Sequence, residues 1–330
     1  MKLVKRKQKR AKKIGLALGS GSARGWAHIG VIKALNEAGI NVDFVSGTSV
    51  GAVVGAVYAS GAIHSFEEVV LQLDWKRVVS FLDVVFPKSG LIDGNKIADF
   101  VRIHVGNNDF ADLSLPFRAV STDLTTGTEV VIQEGDIIEA VRASISIPGI
   151  FTPLRKEGKT LVDGGLVNPV PVSVVREMGA DLVIGVDLNH DTILKKGVNR
   201  ILSLDSIAGD SDKQDGRILG KKNKILEALN KKIRTLDFPA FTQIMRRAAG
   251  DPLPNIFEVL LTSSQIMQAQ ITASRLKAEP PDILIQPKLG HLRFLDFHRA
   301  AEAIFEGYRE TKSCIELSSL RSSLQASKRR

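Results

Sequence analysis

A three-layer α/β/α sandwich around a mostly parallel sheet is the fold this sequence predicts. Apolar, strand-like runs alternate with periodic helical segments at the start of the chain, at 14–19, 25–38, 42–46 and 50–60, with short connections. The strand-to-helix junctions are also rich in glycine and serine, the residues that tight turns into helix N-termini call for.

The first strand, Ile14-Gly15-Leu16-Ala17-Leu18, runs into Gly19-Ser20-Gly21-Ser22-Ala23-Arg24-Gly25, which opens the first helix. Such a loop presents several unpaired backbone N–H groups on one concave side, suited to a phosphate or an oxyanion. No Gly-Lys-Ser/Thr follows, so it is not a P-loop. It partly imitates a dinucleotide fingerprint, with Asp43 at about the ribose-binding distance, but the glycine spacing is off by one.

The second strand leads directly into Gly47-Thr48-Ser49-Val50-Gly51. A serine between two glycines at a strand-to-helix turn has the form of a nucleophile elbow, in which a strained turn lifts the hydroxyl out of the sheet. The helix beginning there points its positive end at a developing oxyanion. The plain alternative is a Gly/Ser-rich loop that packs a helix on a sheet.

Helical patterns at 65–82 and 95–105 are expected to cover the elbow and form a lid or an acyl-chain wall. Segments 117–122 and 129–133, joined through Thr125-Thr126-Gly127, read as a hairpin. A helix at 136–144 leads to Pro148, then come a strand at 160–163, a helix at 171–179 and a strand at 181–187. From 191 to 254 the pattern weakens and reads as an insertion, helical around 224–236. A helix at 256–277, a buried strand at 283–285 and a closing helix at 295–311 complete the domain. The resulting division is a basic tail at 1–13, one domain at 14–312 and a second basic tail at 313–330.

The strand at 160–163 ends in Asp163-Gly164-Gly165. An aspartate there can be a simple turn former. Beside a serine elbow and a glycine loop it becomes the leading candidate for a general base. Asp123 and Asp187, also at strand ends, are reserve bases without a following glycine pair. Of the six histidines, His28 is nearest to the chemistry in sequence, and its place on the helix after the loop suits a packed structural role.

Composition bounds the function. At 330 residues and 44% hydrophobic content the chain can bury a large core. No apolar run approaches the ~20 residues of a membrane-spanning helix, and with a basic start followed by a strand pattern a cleaved signal peptide is not expected. One cysteine, Cys314, precludes an internal disulfide and fits a reducing, cytoplasmic compartment. The formal charge is +9, yet eight Lys/Arg fall within the first thirteen residues. Such tails are expected to be disordered and to be drawn to anionic membrane, such as the inner membrane face, rather than to read a nucleic acid. No H-E-x-x-H, Cys/His cluster or calcium loop occurs, so neither metal nor cofactor is expected.

The glycine loop, the serine elbow and Asp163-Gly164-Gly165, in this order, resemble the patatin-like phospholipase family. The stretches Ala143-Ser144-Ile145-Ser146-Ile147-Pro148-Gly149-Ile150-Phe151 and Val167-Asn168-Pro169-Val170-Pro171 resemble its blocks before and after the aspartate. The branch is similar to neuropathy-target-esterase catalytic domains. The resemblance is close over 14–190. It departs in the loop, where the family reads Gly-Gly-Gly-x-Arg/Lys-Gly and this chain places Ser20 and Ser22 around Gly21.

What the resemblance implies is a calcium-independent serine acyl hydrolase acting on phospholipid, lysophospholipid or related esters. Ser49 would attack, Asp163 would take its proton without a histidine, and the backbone amides of Gly21, Ser22 and Ala23 would bind the oxyanion. Gly19, Arg24, Gly25, Gly47, Gly51, Gly164 and Gly165 would support these motifs. A carboxylate working as base near neutral pH should be desolvated, with a raised pKa. Arg24 would fix the loop, contact a head group or pair with a carboxylate. Because only 5% of residues are aromatic, an acyl channel built from Val, Ile, Leu and Phe is expected rather than an aromatic box. The competing classes are a non-catalytic lipid-binding or regulatory protein of the same fold and a nucleotide-binding protein using 19–25.

Overall fold

The computed structural model describes residues 12–81, 83, 90–106, 109–191 and 256–317. The chain divides into two compact units, one of Met1–Leu194 with Gln265–Arg330 and the other of Lys195–Ser264. Of the second, only 256–264 are described, and they are helical. The sheet and the site belong to the first.

Among the described residues one sheet contains β1 (Ile14–Leu18), β2 (Phe44–Thr48), β3 (Phe117–Asp123), β4 (Glu129–Ile132), β5 (Leu154–Lys156), β6 (Lys159–Asp163), β7 (Leu182–Val186) and β8 (Ile283–Ile285). Its order is β5-β6-β3-β2-β1-β7-β8, with β4 also paired to β3. Strands β3, β2, β1, β7 and β8 are mutually parallel, and β4, β5 and β6 join antiparallel.

Successive residues of β1 point to opposite faces, as a period of two requires. Leu16 and Leu18 enter the larger apolar cluster with Ile29 and Ile32 of α1 (Ala27–Glu37) and Val54 of α2 (Val50–Ala59). Ala17 enters a second cluster with Val172 and Val175 of the helix Val172–Glu177. Both faces are therefore covered by helices, which is the three-layer arrangement that hydrophobic runs in parallel strands demand.

The helices on the larger face continue with α3 (Ile63–Leu71), α4 (Trp75–Ser80), α5 (Asn95–Val105) and α6 (Ile137–Ser144); α7 is Val172–Glu177 on the other face, and α8 (Ile256–Ala278) and α9 (Ala300–Leu317) follow. The single helix expected at 65–82 is two. Asp74 accepts a hydrogen bond from the Arg77 amide at 2.8 Å and so caps a new helix at Trp75. Strand β5 is an addition. It pairs with β6 across Glu157-Gly158, both at positive φ, the two-residue turn that suits a twisted hairpin. The last helix runs to Leu317, past the boundary expected at 312, and Cys314 and Ile315 on it pack against the core. The helix expected at 224–236, most of both tails and nearly all of the insertion lie outside the described residues.

The register of β3 sets the position of the site. Val120 pairs with Thr48 at the end of β2, and its neighbour Ser121 pairs with Asp163 at the end of β6. Because β4 occupies the other edge of β3 at these residues, β2 and β6 meet end to end along one edge. Their C-terminal residues face each other there.

Candidate active site

Ser49 follows β2 and precedes α2 with φ 57° and ψ −125°. That conformation is costly for a residue with a side chain, roughly 1–3 kcal/mol. The surrounding turn enforces it. A Cβ on Gly47 would lie 2.2 Å from the Gly51 carbonyl oxygen, and one on Gly51 would lie 2.2 Å from that of Leu18. Only glycines allow the helix to start this close to the strand. The Ser49 amide donates to Ser144 Oγ at 2.8 Å, and that hydroxyl donates to the Val120 carbonyl at 2.6 Å.

The Ser49 hydroxyl donates to Asp163 Oδ2 at 2.6 Å. Asp163 Oδ1 accepts from the Gly165 amide at 2.7 Å, and the Asp163 amide donates to the Ser146 carbonyl at 2.9 Å. The carboxylate is 1% exposed. Burial pushes its pKa up from 3.8 to about 6, against the lowering by the bonds from Ser49 and Gly165. Its acidity thus lies where a general base can work near neutral pH.

Segment 143–151 supports both members of the pair. Ser144 holds the Ser49 backbone and the Ser146 carbonyl holds that of Asp163. Ser146 Oγ in turn accepts from Arg142 Nη1 at 2.6 Å, and the buried guanidinium also reaches the Asp93 carbonyl and Thr152. These roles of Ser144, Ser146 and Arg142 are not legible in the sequence, although two of the three lie inside a motif it displays.

In the glycine loop, the Gly19 amide donates to Val186 O, Ser20 to Pro169 O and Ala23 to Phe294 O at 3.2 Å. The Ala23 amide therefore already has an acceptor. Gly21 and Ser22 are the amides of this loop with no backbone acceptor among the described residues. Ser22 sits at φ 51°, in the left-handed region, where glycine would be more comfortable, and its hydroxyl donates to Phe294 O at 2.7 Å. Arg24 is buried and donates from Nε to the Gly21 carbonyl at 3.2 Å. Burial lowers its pKa to about 10, opposed by the charges of Asp191 and Asp187. It fixes the loop from beneath. Gly25 packs against Val50, and Gly164 against the Val120 carbonyl.

Among the described residues no histidine hydrogen-bonds to Ser49 or Asp163. His28 is fully buried, its Nε2 lies 2.7 Å from Gly19 O, and desolvation drives its pKa down to about 4, so it is a neutral donor to the loop. Asp123 accepts from the Thr125 amide and Thr126 hydroxyl in its hairpin turn, and Asp187 from the Asn189 amide and Gln286 Nε2. Both reserve bases are thus engaged elsewhere. Asp43 accepts from the Ile14 amide, placing it where β1 and β2 begin, at the end of the sheet away from the glycine loop. It cannot serve a nucleotide bound at 19–25. No group of metal-ligating side chains occurs among the described residues, and none of their helices is long and apolar enough to cross a membrane.

Ser22 and Ser49 stand in an apolar pocket that opens to solvent. Its walls are Val50 and Val53 of α2, residues of α4 and α5, and Ile145, Ile147 and Ile150. The phenylalanines Phe100, Phe151 and Phe294 line it as expected, and Trp26 joins them. The segments around α4 and α5 do form its wall. The two serines aside, the lining can offer a ligand little but dispersion and apolar burial.

Comparison with known proteins places these features in a family. The sequence model of the Patatin-like phospholipase family matches residues 16–176. An NTE family protein of Mycobacterium tuberculosis is 33% identical over 330 residues, covering 92% of this chain and 91% of that protein. Human patatin-like phospholipase domain-containing protein 6 is 37% identical over 182 residues, which are 53% of this chain and 13% of that protein. Among solved structures, VipD from Legionella pneumophila aligns with a TM-score of 0.42 at 15% identity, covering 93% of this chain and 67% of that one.

Proposed function

Since the chain belongs to the patatin-like phospholipase family, we propose that it is a serine lipid acyl hydrolase working through a Ser49–Asp163 dyad. The observation that carries this reading is the 2.6 Å hydrogen bond from Ser49 Oγ to a buried carboxylate beside an apolar pocket.

An ester enters with its acyl chain in the pocket and its carbonyl carbon over Ser49. Asp163 Oδ2 removes the hydroxyl proton as Oγ bonds to the carbonyl carbon, and the carbonyl electron pair moves onto oxygen. The amides of Gly21 and Ser22, with the N-terminus of α2, receive that oxyanion. Collapse breaks the bond to the alcohol, which leaves with the proton held by Asp163. A water molecule, deprotonated by the same carboxylate, then attacks the acyl-Ser49 ester. Its collapse releases the fatty acid and restores the Ser49 hydroxyl. A histidine is not needed to relay the proton, because desolvation alone brings the carboxylate into the working range. Phospholipids and lysophospholipids are the substrates that match a pocket for the chain with the head group left outside.

The test is hydrolysis of defined phospholipids and lysophospholipids by wild type, Ser49→Ala and Asp163→Asn in parallel. Fatty acid release by wild type that both variants lose is the expected result. Equal release by Ser49→Ala would end the dyad reading, and a purified wild type inert towards the whole panel would favour a lipid-binding role instead.

A further inference from the structure

The two serines that depart from the family's glycine pattern are fastened by their hydroxyls. Ser20 Oγ donates to Gln268 Oε1 at 3.0 Å and accepts from Asn189 Nδ2 at 3.2 Å. Ser22 Oγ is bound to the Phe294 carbonyl, which also takes the Ala23 amide. The loop that carries the Gly21 and Ser22 amides is thereby tied to three later segments of the chain, and one tie reaches further. Gln268 lies on α8, 248 residues from Ser20 in sequence, and is buried. Its Nε2 abuts the aspartate turn: a Cβ on Gly165 would lie 2.6 Å from Gln268 Nε2 and 2.9 Å from Asp163 Oδ1. The amide nitrogen and the carboxylate oxygen are therefore within about 5.5 Å of each other.

We propose that Gln268 is a positioning residue that ties the oxyanion loop, through Ser20, to the turn carrying Asp163. The inference rests on the dyad reading above. Oxyanion donors act only when they are held in place before the charge develops, and a displacement on the order of 1 Å is costly. Glycine at 20 and 22 would remove the hydroxyl ties and leave the loop its backbone bonds and the bonds from Arg24 and Asn189 to its carbonyls. Here the Gln268 amide bonds the loop through Ser20 and packs directly on the Gly165 turn. The serine-for-glycine exchanges thus have a structural partner that lies outside every motif in the sequence.

A double-mutant cycle tests the tie, with kcat expressed per site titrated by a fluorophosphonate so that misfolded protein does not count. Ser20→Gly and Gln268→Met should each lower kcat about tenfold with KM held within about twofold, and the double variant should be no worse than about tenfold, since both changes break one link. Gln268→Glu adds a readout that mere loss of packing would not move. Among the described residues no charged neighbour contributes to the Asp163 shift, so a carboxylate at 268 would move the acid limb of kcat/KM up by about one pH unit. Multiplicative losses in the double variant, single variants at wild-type kcat, or an unmoved acid limb would each overturn the tie. If turnover still vanishes in Ser49→Ala, such results leave the dyad standing. A protein without Ser49-dependent turnover overturns both.

Discussion

Replacing Asp163 by asparagine should make the protein inactive and, at neutral pH, more stable. The amide has nearly the shape of the carboxylate and can still accept from the Gly165 amide, so the turn is kept. What disappears is a buried charge. The Asp163 pKa rises from 3.8 to about 6 on folding. A carboxyl group with a raised pKa contributes its full stability below the unfolded value and loses it as pH rises through the folded value. At pH 7.5 the ionised group costs the fold about 3 kcal/mol, and at pH 4.5 about 1 kcal/mol. Asp163→Asn should therefore gain about 3 kcal/mol at pH 7.5, shrinking by about 2 kcal/mol at pH 4.5. Urea unfolding of both proteins at the two pH values measures the difference. A gain independent of pH, or a loss at pH 7.5, would refute the claim that desolvation of this carboxylate sets its acidity.

Three further outcomes follow from the same geometry. The kcat/KM profile should rise with pH through about 6 and fall about tenfold per unit well below it, because the ionised base is the active form; a flat profile from pH 4 to 7 would contradict this. Ser144→Ala should cost about 1–3 kcal/mol in chemical denaturation, since the Ser49 amide and the Val120 carbonyl both lose their buried partner. Val53→Phe, on the pocket wall, should shift the preference among fatty acyl esters towards shorter chains by about tenfold in relative kcat/KM, and an unchanged chain-length profile would remove the pocket from the acyl-binding role.

The parts of the site legible in sequence are those whose chemistry is local. Ser49 is marked by the two glycines that let α2 begin on the end of β2, and Asp163 by the glycine pair of its own turn. The alternation of strands and helices around them was enough to predict a sheet between helical layers. What sequence could not display are bonds between distant residues. Ser144 holds a backbone 95 residues away, and Gln268 meets Ser20 across 248. Neither residue type nor spacing encodes such a meeting, which exists only once the chain has folded. The same holds for the Ala23 amide, whose availability was decided by where Phe294 lies. The break between α3 and α4 was present in the sequence as Asp74, but an apolar periodicity running past it hid the cap. Strand β5 was hidden for a different reason, being too short and too charged to show an apolar alternation.

The central claim is that Ser49 is the nucleophile and that a carboxylate, with no histidine, activates it. Covalent labelling tests this most directly. Wild type treated with a fluorophosphonate should carry one adduct, located by peptide mass on the segment holding Ser49, and its rate of formation should follow an acid limb near pH 6 and fall at least a hundredfold in Asp163→Asn. An adduct on another residue, or labelling of undiminished rate in Asp163→Asn, would contradict the account.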